Sequence, residues 1–225
     1  MDGTGGEPTV NPDELVDLSA LSSSRGRIAV HYDIATWMSC PPAFPEGFDR
    51  AKWALTFAEA FSKRPGRHPS DREIKRLAGT LAQIHEYSYG GNVACHLCFI
   101  HQPNPTLTPL PVYMAAWRPI GDRDEALRRL TNADDPAAVE PPVVQEFTAR
   151  ELGHGLKVLR FGHLPARRYR EPRLFGALNY AWRDDKLETD LRVFASTGDI
   201  GRLRLAIPDI DDLVNVTKIV PAPHG

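Results

Sequence analysis

The sequence predicts an α+β fold in which helices cover a mostly antiparallel sheet of about six to seven strands, an α/β/α sandwich. Two amphipathic stretches of helical period lie between Asp49 and Tyr89. From Val93 to Val220 the apolar residues mostly recur with a period of two, in short runs separated by turns. Alternating strand–helix–strand units are not visible in this pattern, which argues against a doubly wound nucleotide-binding fold.

The composition favours a cytoplasmic protein and excludes several classes of partner. The 225 residues carry 27 Lys and Arg against 29 Asp and Glu, so no overall field favours nucleic acid or an anionic membrane. No apolar run approaches the ~20 residues that a membrane helix needs, and the acidic N-terminal run MDGTGGEPTVNPDELVDL does not resemble a secretory signal. Three cysteines, an odd number, argue against a disulfide framework and for free thiols.

The change in composition near Arg25 predicts two segments. Residues 1–26 are rich in Gly, Ser, Asp and Pro, hold five acids against one Arg and show no sustained periodicity. Such a segment cannot bury enough apolar surface to offset its ordering entropy, which predicts a disordered acidic tail. Residues 27–225 contain no obvious linker and are predicted to form a single α+β domain.

One strand and two helices are predicted before residue 91. Alternating apolar residues predict a strand over 28–35, followed by the Pro-rich loop SCPPAFPEG. An apolar stripe predicts a helix over 49–63; its members are Trp53, Phe57 and Phe61. Ser70 and Glu73 have the spacing of a capping box and start a second helix, which Gly90-Gly91 ends.

The remainder of the chain is predicted to be a strand meander with short helices inserted. The strands are predicted over 93–101, 111–118, 143–150, 156–162, 174–182, 189–196 and 214–220. The helices are predicted over 124–130, 199–206 and 209–213, the last starting at Pro208-Asp209. The segment ELGHG, residues 151–155, is predicted to be the tip of a hairpin.

The C-terminal part of the chain resembles the ending of PsbP-like domains. The resemblance rests on the run Leu191-Arg192-Val193-Phe194, a short helix, and the run from Asp209 to Val216. The order of elements from Arg27 onward is similar too. It implies an α/β/α sandwich around a central antiparallel sheet and a role in binding partners rather than in catalysis. No diagnostic motif accompanies it, so it assigns no functional residue.

No motif of the sequence predicts a catalytic, cofactor-binding or metal site. A nucleophile elbow, a phosphate-binding loop, a dinucleotide fingerprint and an HExxH pair are all missing from the sequence. Cys95 and Cys98 form a CxxC pair, but inside a predicted strand they would point to opposite faces of the sheet. The pattern therefore favours buried structural thiols over a zinc site or a redox pair.

Two further groups of residues have a structural and a functional interpretation. The acidic residues near the C-terminus, Asp199, Asp209, Asp211 and Asp212, have no calcium-loop spacing and are predicted to cap helices rather than bind a cation. The aromatic residues Tyr87, Tyr89, Trp117, Tyr180 and Trp182 are predicted to be core, with a ligand pocket as the alternative.

The candidate binding residues lie in the second of two basic segments, 63–76 and 160–173. They are Arg167, Arg168, Tyr169, Arg170 and Arg173. Guanidinium groups match carboxylate and phosphate geometry, and an aromatic ring among them suits a stacked group. The alternative for both segments is a solvated loop.

These observations favour a non-enzymatic binding or accessory domain without a cofactor. Its predicted partner is a protein with an acidic or phosphate-bearing surface, contacted through loops on a rigid sheet. The alternatives are a small-molecule-binding sheet domain with an activity that no motif reveals, and a nucleic-acid accessory factor, which the charge balance disfavours. Partner identity, substrate and oligomeric state do not follow from the sequence.

Overall fold

A computed structural model of the protein describes residues 26–62, 68–91, 93–164 and 173–221, and these ranges hold nine strands and four helices. The strands are β1 (Gly26–Val30), β2 (Trp37–Cys40), β3 (Leu97–His101), β4 (Leu110–Trp117), β5 (Val143–Ala149), β6 (Gly153–Leu164), β7 (Arg173–Asp184), β8 (Thr189–Thr197) and β9 (Thr217–Pro221). The helices are α1 (Arg50–Ser62), α2 (Asp71–Tyr89), α3 (Arg123–Thr131) and α4 (Ile200–Asn215).

Seven of the strands form one antiparallel sheet in the order β2-β3-β4-β8-β7-β6-β5. The first and last strands, β1 and β9, pair with each other in a separate antiparallel ribbon. The predicted fold class is therefore confirmed: helices and a mostly antiparallel sheet form an α+β sandwich.

The two faces of the seven-stranded sheet are covered by different elements. α1 and α2 pack over β2, β3 and β4 through a core that includes Trp53, Leu81 and Ile100. α3 covers β6 and β7 on the same face. The opposite face packs against α4 through Leu203, Ile210 and the central strands, and the β1–β9 ribbon flanks this core. We call these the α1–α3 face and the α4 face.

The two helices predicted before residue 91 are confirmed. The side chain of Ser70 accepts a hydrogen bond from the backbone N–H of Glu73, and the Glu73 carboxylate accepts one from the N–H of Ser70. This capping box satisfies donors that have no partner within the helix. α2 then ends where the glycine pair begins.

The prediction of a single strand over 28–35 was wrong. β1 ends at Val30, and a turn in which Asp33 accepts the N–H groups of Ala35, Thr36 and Trp37 precedes a second strand, β2. β2 has only four residues and is held by pairing with β3. Such a short strand leaves almost no periodic signal in the sequence, because its partner lies some sixty residues away along the chain.

The two C-terminal helices predicted around Pro208 are one helix. α4 runs without interruption from Ile200 to Asn215, with Pro208 inside it. Its buried stripe continues on both sides of the proline: Leu203, Ala206, Ile210, Leu213 and Val214. A proline removes one backbone hydrogen bond and costs about 3 kcal/mol in a helix interior, and burial of this stripe offsets that cost.

The predicted hairpin is confirmed, but its turn is at 150–152, and Gly153 and Gly155 of the predicted tip already belong to β6. Gly153 has a φ of 69°, in the left-handed region that glycine adopts most readily. A side chain at Gly155 would meet the Trp182 indole at 2.4 Å, so this position must lack a Cβ.

None of the four helices in the described ranges is both long and apolar enough to cross a membrane.

Candidate anion-binding site

Most of the predicted binding loop lies outside the described residues. Arg167, Arg168, Tyr169 and Arg170 belong to residues 165–172, which connect β6 to β7. Arg173 is the first residue of β7; it is exposed and pairs with Leu164, the last residue of β6. The role assigned to this loop therefore stays a prediction.

A row of buried polar residues crosses the α1–α3 face beside the start of that loop. Arg160 on β6, Asn179 on β7 and Arg192 on β8 are exposed by only 3%, 1% and 6%. Their registers place all three on the same face, since Arg160 is opposite Ala177 and Asn179 is opposite Phe194. We call these three residues the arginine seam.

The hydrogen bonds of the seam fix the orientation of its central amide. Arg192 donates from Nη2 to the Asn179 Oδ1 atom over 2.7 Å. Because a guanidinium can only donate, the amide oxygen must face Arg192 and the amide nitrogen must face away from it. That Nδ2 group is buried and has no hydrogen-bond partner in the described part of the chain. A buried donor without an acceptor is costly, typically about 1–3 kcal/mol.

Aromatic rings support both guanidinium groups of the seam. The Arg192 guanidinium lies 4.3 Å from the centre of the Phe194 ring, and that of Arg160 lies 5.4 Å from the centre of the Phe175 ring. Arg160 also donates to the carboxylate of Asp135. Contacts of this kind attract a guanidinium to a ring face and help to hold it in place.

A cleft beside α3 reaches the seam at Arg160. Its volume is about 780 Å³, and it is lined by Glu125, Arg128, Arg129, Asn132, Asp134, Asp135, Pro136 and Arg160. Arg128 binds Asp134 through two guanidinium nitrogens, which lowers the pKa of that carboxyl group. Arg128 and Arg129 also lie in the last turn of α3, where basic residues complement the helix dipole. The cleft thus has mixed charge, whereas the seam contains guanidinium and amide groups.

The α4 face holds a different polar cluster, built from Lys157, Tyr180 and Asp211. The ammonium group of Lys157 lies 2.7 Å from each oxygen of Asp211, and the Tyr180 hydroxyl donates to the same carboxylate over 2.6 Å. Burial and the neighbouring carboxylate raise the pKa of Tyr180 far above its ordinary value. The hydroxyl therefore stays protonated, and its hydrogen bond to Asp211 connects β7 of the sheet to α4.

A second cluster on the α4 face centres on His101. Arg202 donates to His101 Nδ1 over 2.9 Å, and His101 Nε2 lies 2.7 Å from Asp209 Oδ2. With Nδ1 accepting, the ring proton lies on Nε2 and is donated to Asp209. Arg202 also donates to the backbone oxygen atoms of His101 and Thr108.

These clusters correct the interpretation of the acidic residues. Asp199 caps α4, as predicted, by accepting from the N–H of Arg202. Asp209 and Asp211 lie inside the continuous helix and bind side chains of the sheet instead of capping a new helix. The described ranges contain no group of three His, Cys, Asp or Glu side chains placed to hold a metal ion.

The CxxC pair is not contained in one strand, because β3 begins at Leu97 and leaves Cys95 in the segment before it. Cys98 is buried opposite Cys40 of β2, and the Tyr89 hydroxyl bridges the Cys40 carbonyl and the Cys98 N–H. Burial raises the pKa values of Cys95 and Cys98, so the reactive thiolate form is disfavoured in both. All three cysteines are free thiols.

The five aromatic residues considered as a pocket lining are not brought together. Tyr180 and Trp182 stack on the α4 face, Trp117 packs near α3, and Tyr87 and Tyr89 border the α1–α2 core. They belong to three separate packing clusters.

Sequence reasoning identified Arg160 as part of a basic segment but missed Asn179. An asparagine in the apolar strand LFGALNYAW is a signal, since a buried amide needs hydrogen-bond partners. Its neighbour Arg192 could not be recognised as part of the same site, because the sequence does not give the register of β7 and β8.

Comparison with known protein families and with characterised proteins finds no match to this chain.

Proposed function

We propose that the protein is a non-enzymatic binding domain that receives a carboxylate- or phosphate-bearing group of a protein partner at the arginine seam. The supporting observation is the buried Nδ2 group of Asn179, which has no acceptor among the described residues and belongs to the same row of side chains as Arg160 and Arg192. An anionic oxygen would satisfy that donor and add charge-assisted hydrogen bonds from arginine.

The connection from β6 to β7 supplies the outer part of the proposed surface. Arg160 lies on β6 four residues before Leu164, where the strand ends and the loop with Arg167, Arg168 and Arg170 begins. The positive charges of these arginines would attract an acidic partner, and the seam would bind one of its anionic groups.

A free small anion is the second candidate ligand. The 780 Å³ cleft that reaches Arg160 lies within the usual size range of small-molecule pockets, about 300–1,000 Å³. This alternative needs no protein partner, and the same seam residues would bind the ligand.

The first test measures the melting temperature in inorganic phosphate and in succinate against chloride at matched ionic strength. Both anions should raise the melting temperature, because a ligand that binds only the folded state stabilises it. Asn179→Asp places a carboxylate beside Arg192 in the same volume and should abolish the effect. Arg204→Ala, on the exposed side of α4, is the control and should leave it intact.

The second test identifies the partner by affinity purification with the full chain as bait. Replacing Arg167, Arg168 and Arg170 with alanine should weaken its capture without lowering the melting temperature, because the role proposed for these charges is in binding the partner and not in packing. Anion binding that is identical in the wild type and in Asn179→Asp would refute the seam. Saturable binding of small anions with no captured protein would favour the second candidate.

A further inference from the structure

The edge strand β5 carries backbone hydrogen-bonding groups that no strand in the described ranges uses. It pairs with β6 along one side, from Val143 to Ala149, and is the last strand of the sheet on the other. Val143 and Val144 are 48% and 38% exposed, and Gln145 and Glu146 are exposed too. A free strand edge is a template for pairing with another chain.

The opposite edge of the sheet is less suited to such pairing. β2 has only four residues, and three of them, Trp37, Met38 and Cys40, are buried. β5 has seven residues and a single charge, that of Glu146. The usual protections of an edge, such as lysines, internal prolines or a very short strand, are missing from it.

The sequence around β5 restricts how two copies could pair. Pro141 and Pro142 precede Val143 and have no N–H to donate, so pairing cannot extend before the strand. Residues that face each other across an antiparallel pair point to the same face of the sheet. A two-fold axis perpendicular to the sheet must therefore pass midway between the two copies of one residue of β5, which face each other.

Charge, the number of paired residues and apolar contact select among the possible positions of that axis. An axis at Phe147 would pair 145–149 and leave the exposed Val143 and Val144 outside the pairing. An axis at Glu146 would place two carboxylates directly opposite each other, which is destabilising. An axis at Val144 would allow only 143–145 to pair. An axis at Gln145 pairs 143–147. Val143 then faces Phe147 of the other copy, and Val144 faces Glu146 of the other copy. The two Gln145 residues face each other.

We propose that two copies of this chain associate through antiparallel pairing of their β5 edges, with Gln145 on the two-fold axis, to form one continuous fourteen-stranded sheet. The valine–phenylalanine pairs lie on the α4 face, where Phe147 already packs against Tyr180 and Trp182. The two Gln145 amides can exchange hydrogen bonds across the axis. This inference is independent of the anion-binding function.

Edge pairing alone buries less surface than the ~1,200–2,000 Å² of a stable interface, so the dimer should depend on protein concentration. Analytical ultracentrifugation of the full chain over a wide concentration range should show reversible monomer–dimer exchange. A chain that stays monomeric at all concentrations would overturn the proposal.

Two substitutions with opposite expected effects test the register. Gln145→Glu places a carboxylate opposite Lys157 of its own sheet, which favours the monomer fold, and opposite its copy across the axis. We expect about tenfold weaker dimerisation. Val144→Lys places an ammonium group opposite Glu146 of the other copy, twice per dimer, and should strengthen it roughly threefold at low salt.

Leu205→Lys, at an exposed position of α4, is the control and should leave the dimerisation constant unchanged. Melting temperatures near that of the wild type would show that each variant is folded. Equal weakening by Val144→Lys and Gln145→Glu would contradict the register with Gln145 on the axis. Dimerisation unaffected by Gln145→Glu would exclude the β5 edge as the interface.

Discussion

The two faces of the sheet both bury charged side chains, but they arrange them differently. On the α4 face the acids come from the helix: Asp209 binds His101, and Asp211 binds Lys157 and Tyr180. These bonds connect helix to sheet and hold α4 at a fixed position. On the α1–α3 face, Arg183 and Asp190 form a bidentate pair between two neighbouring strands, β7 and β8.

The seam on the α1–α3 face has no such helix partner for its central amide. Asn179 accepts from Arg192 with its oxygen and leaves its nitrogen without an acceptor in the described ranges. Buried polar groups of one sheet can thus serve two purposes. Satisfied ion pairs position elements, whereas an unsatisfied donor beside guanidiniums is suited to an external anion.

The largest expected effect is the loss of the strand-to-strand ion pair. Asp190→Ala leaves Arg183 buried without its carboxylate, and breaking a buried pair typically costs about 3–5 kcal/mol. Urea denaturation should show that loss in the free energy of unfolding. Asp185→Ala removes an exposed ion pair with Arg123 and serves as the control, with an expected change within about 0.5 kcal/mol.

Loss of the helix-to-sheet pair should cost less, because Asp211 is partly exposed. Asp211→Ala leaves the Tyr180 hydroxyl without its acceptor and Lys157 without its counter-charge. Urea denaturation should show a loss of about 2 kcal/mol in the free energy of unfolding. Its neighbour Asp212 is exposed, and Asp212→Ala should be nearly neutral. If both variants unfold at the same urea concentration, the Asp211 contacts do not hold α4.

The His101 cluster should make stability dependent on pH. Burial lowers the pKa of His101 below its ordinary value of 6.5, so protonation favours the unfolded chain. The stabilisation of the folded state by neutral His101 is complete above pH 6.5. It is lost as the pH falls through the lower pKa that His101 has in the folded state. The free energy of unfolding should fall on acidification, by at most about 1.4 kcal/mol per pH unit for one histidine.

His101→Gln should reduce that pH dependence, which urea titrations at neutral and mildly acidic pH can measure. Part of it should remain, because burial also lowers the pKa values of His85 and His96. An unchanged dependence in the variant would show that His101 does not titrate in this range.

The smallest expected effect on stability comes from the seam itself. Asn179→Asp replaces the unpartnered amide nitrogen with an oxygen that Arg192 and Arg160 can attract, and should raise the free energy of unfolding by about 1 kcal/mol. Thermal denaturation in chloride measures it. A marked loss of stability would mean that the Asn179 nitrogen donates to a group outside the described residues, and the contrast between the two faces would disappear.

Much of the fold could be predicted because its signals are local. The stripe of Trp53, Phe57 and Phe61, the capping box at Ser70 and the period of two after Val93 each depend on residues within a few positions of one another. Local patterns failed at Pro208, where the apolar stripe of α4 outweighs the effect of the proline. They also failed at β2, which is held by a strand far away in the sequence.

The fold class, most elements and the basic character of the segment that contains Arg160 follow from local patterns in the sequence. The positions of Asn179 and Arg192 beside Arg160, and the binding of Asp209 and Asp211 to the sheet, depend on contacts between residues far apart in the chain. For Asn179 and Arg192 those contacts are set by strand register. A shift of one residue between β7 and β8 would place Asn179 and Arg192 on opposite faces, and that pairing is selected by the packing of both faces together.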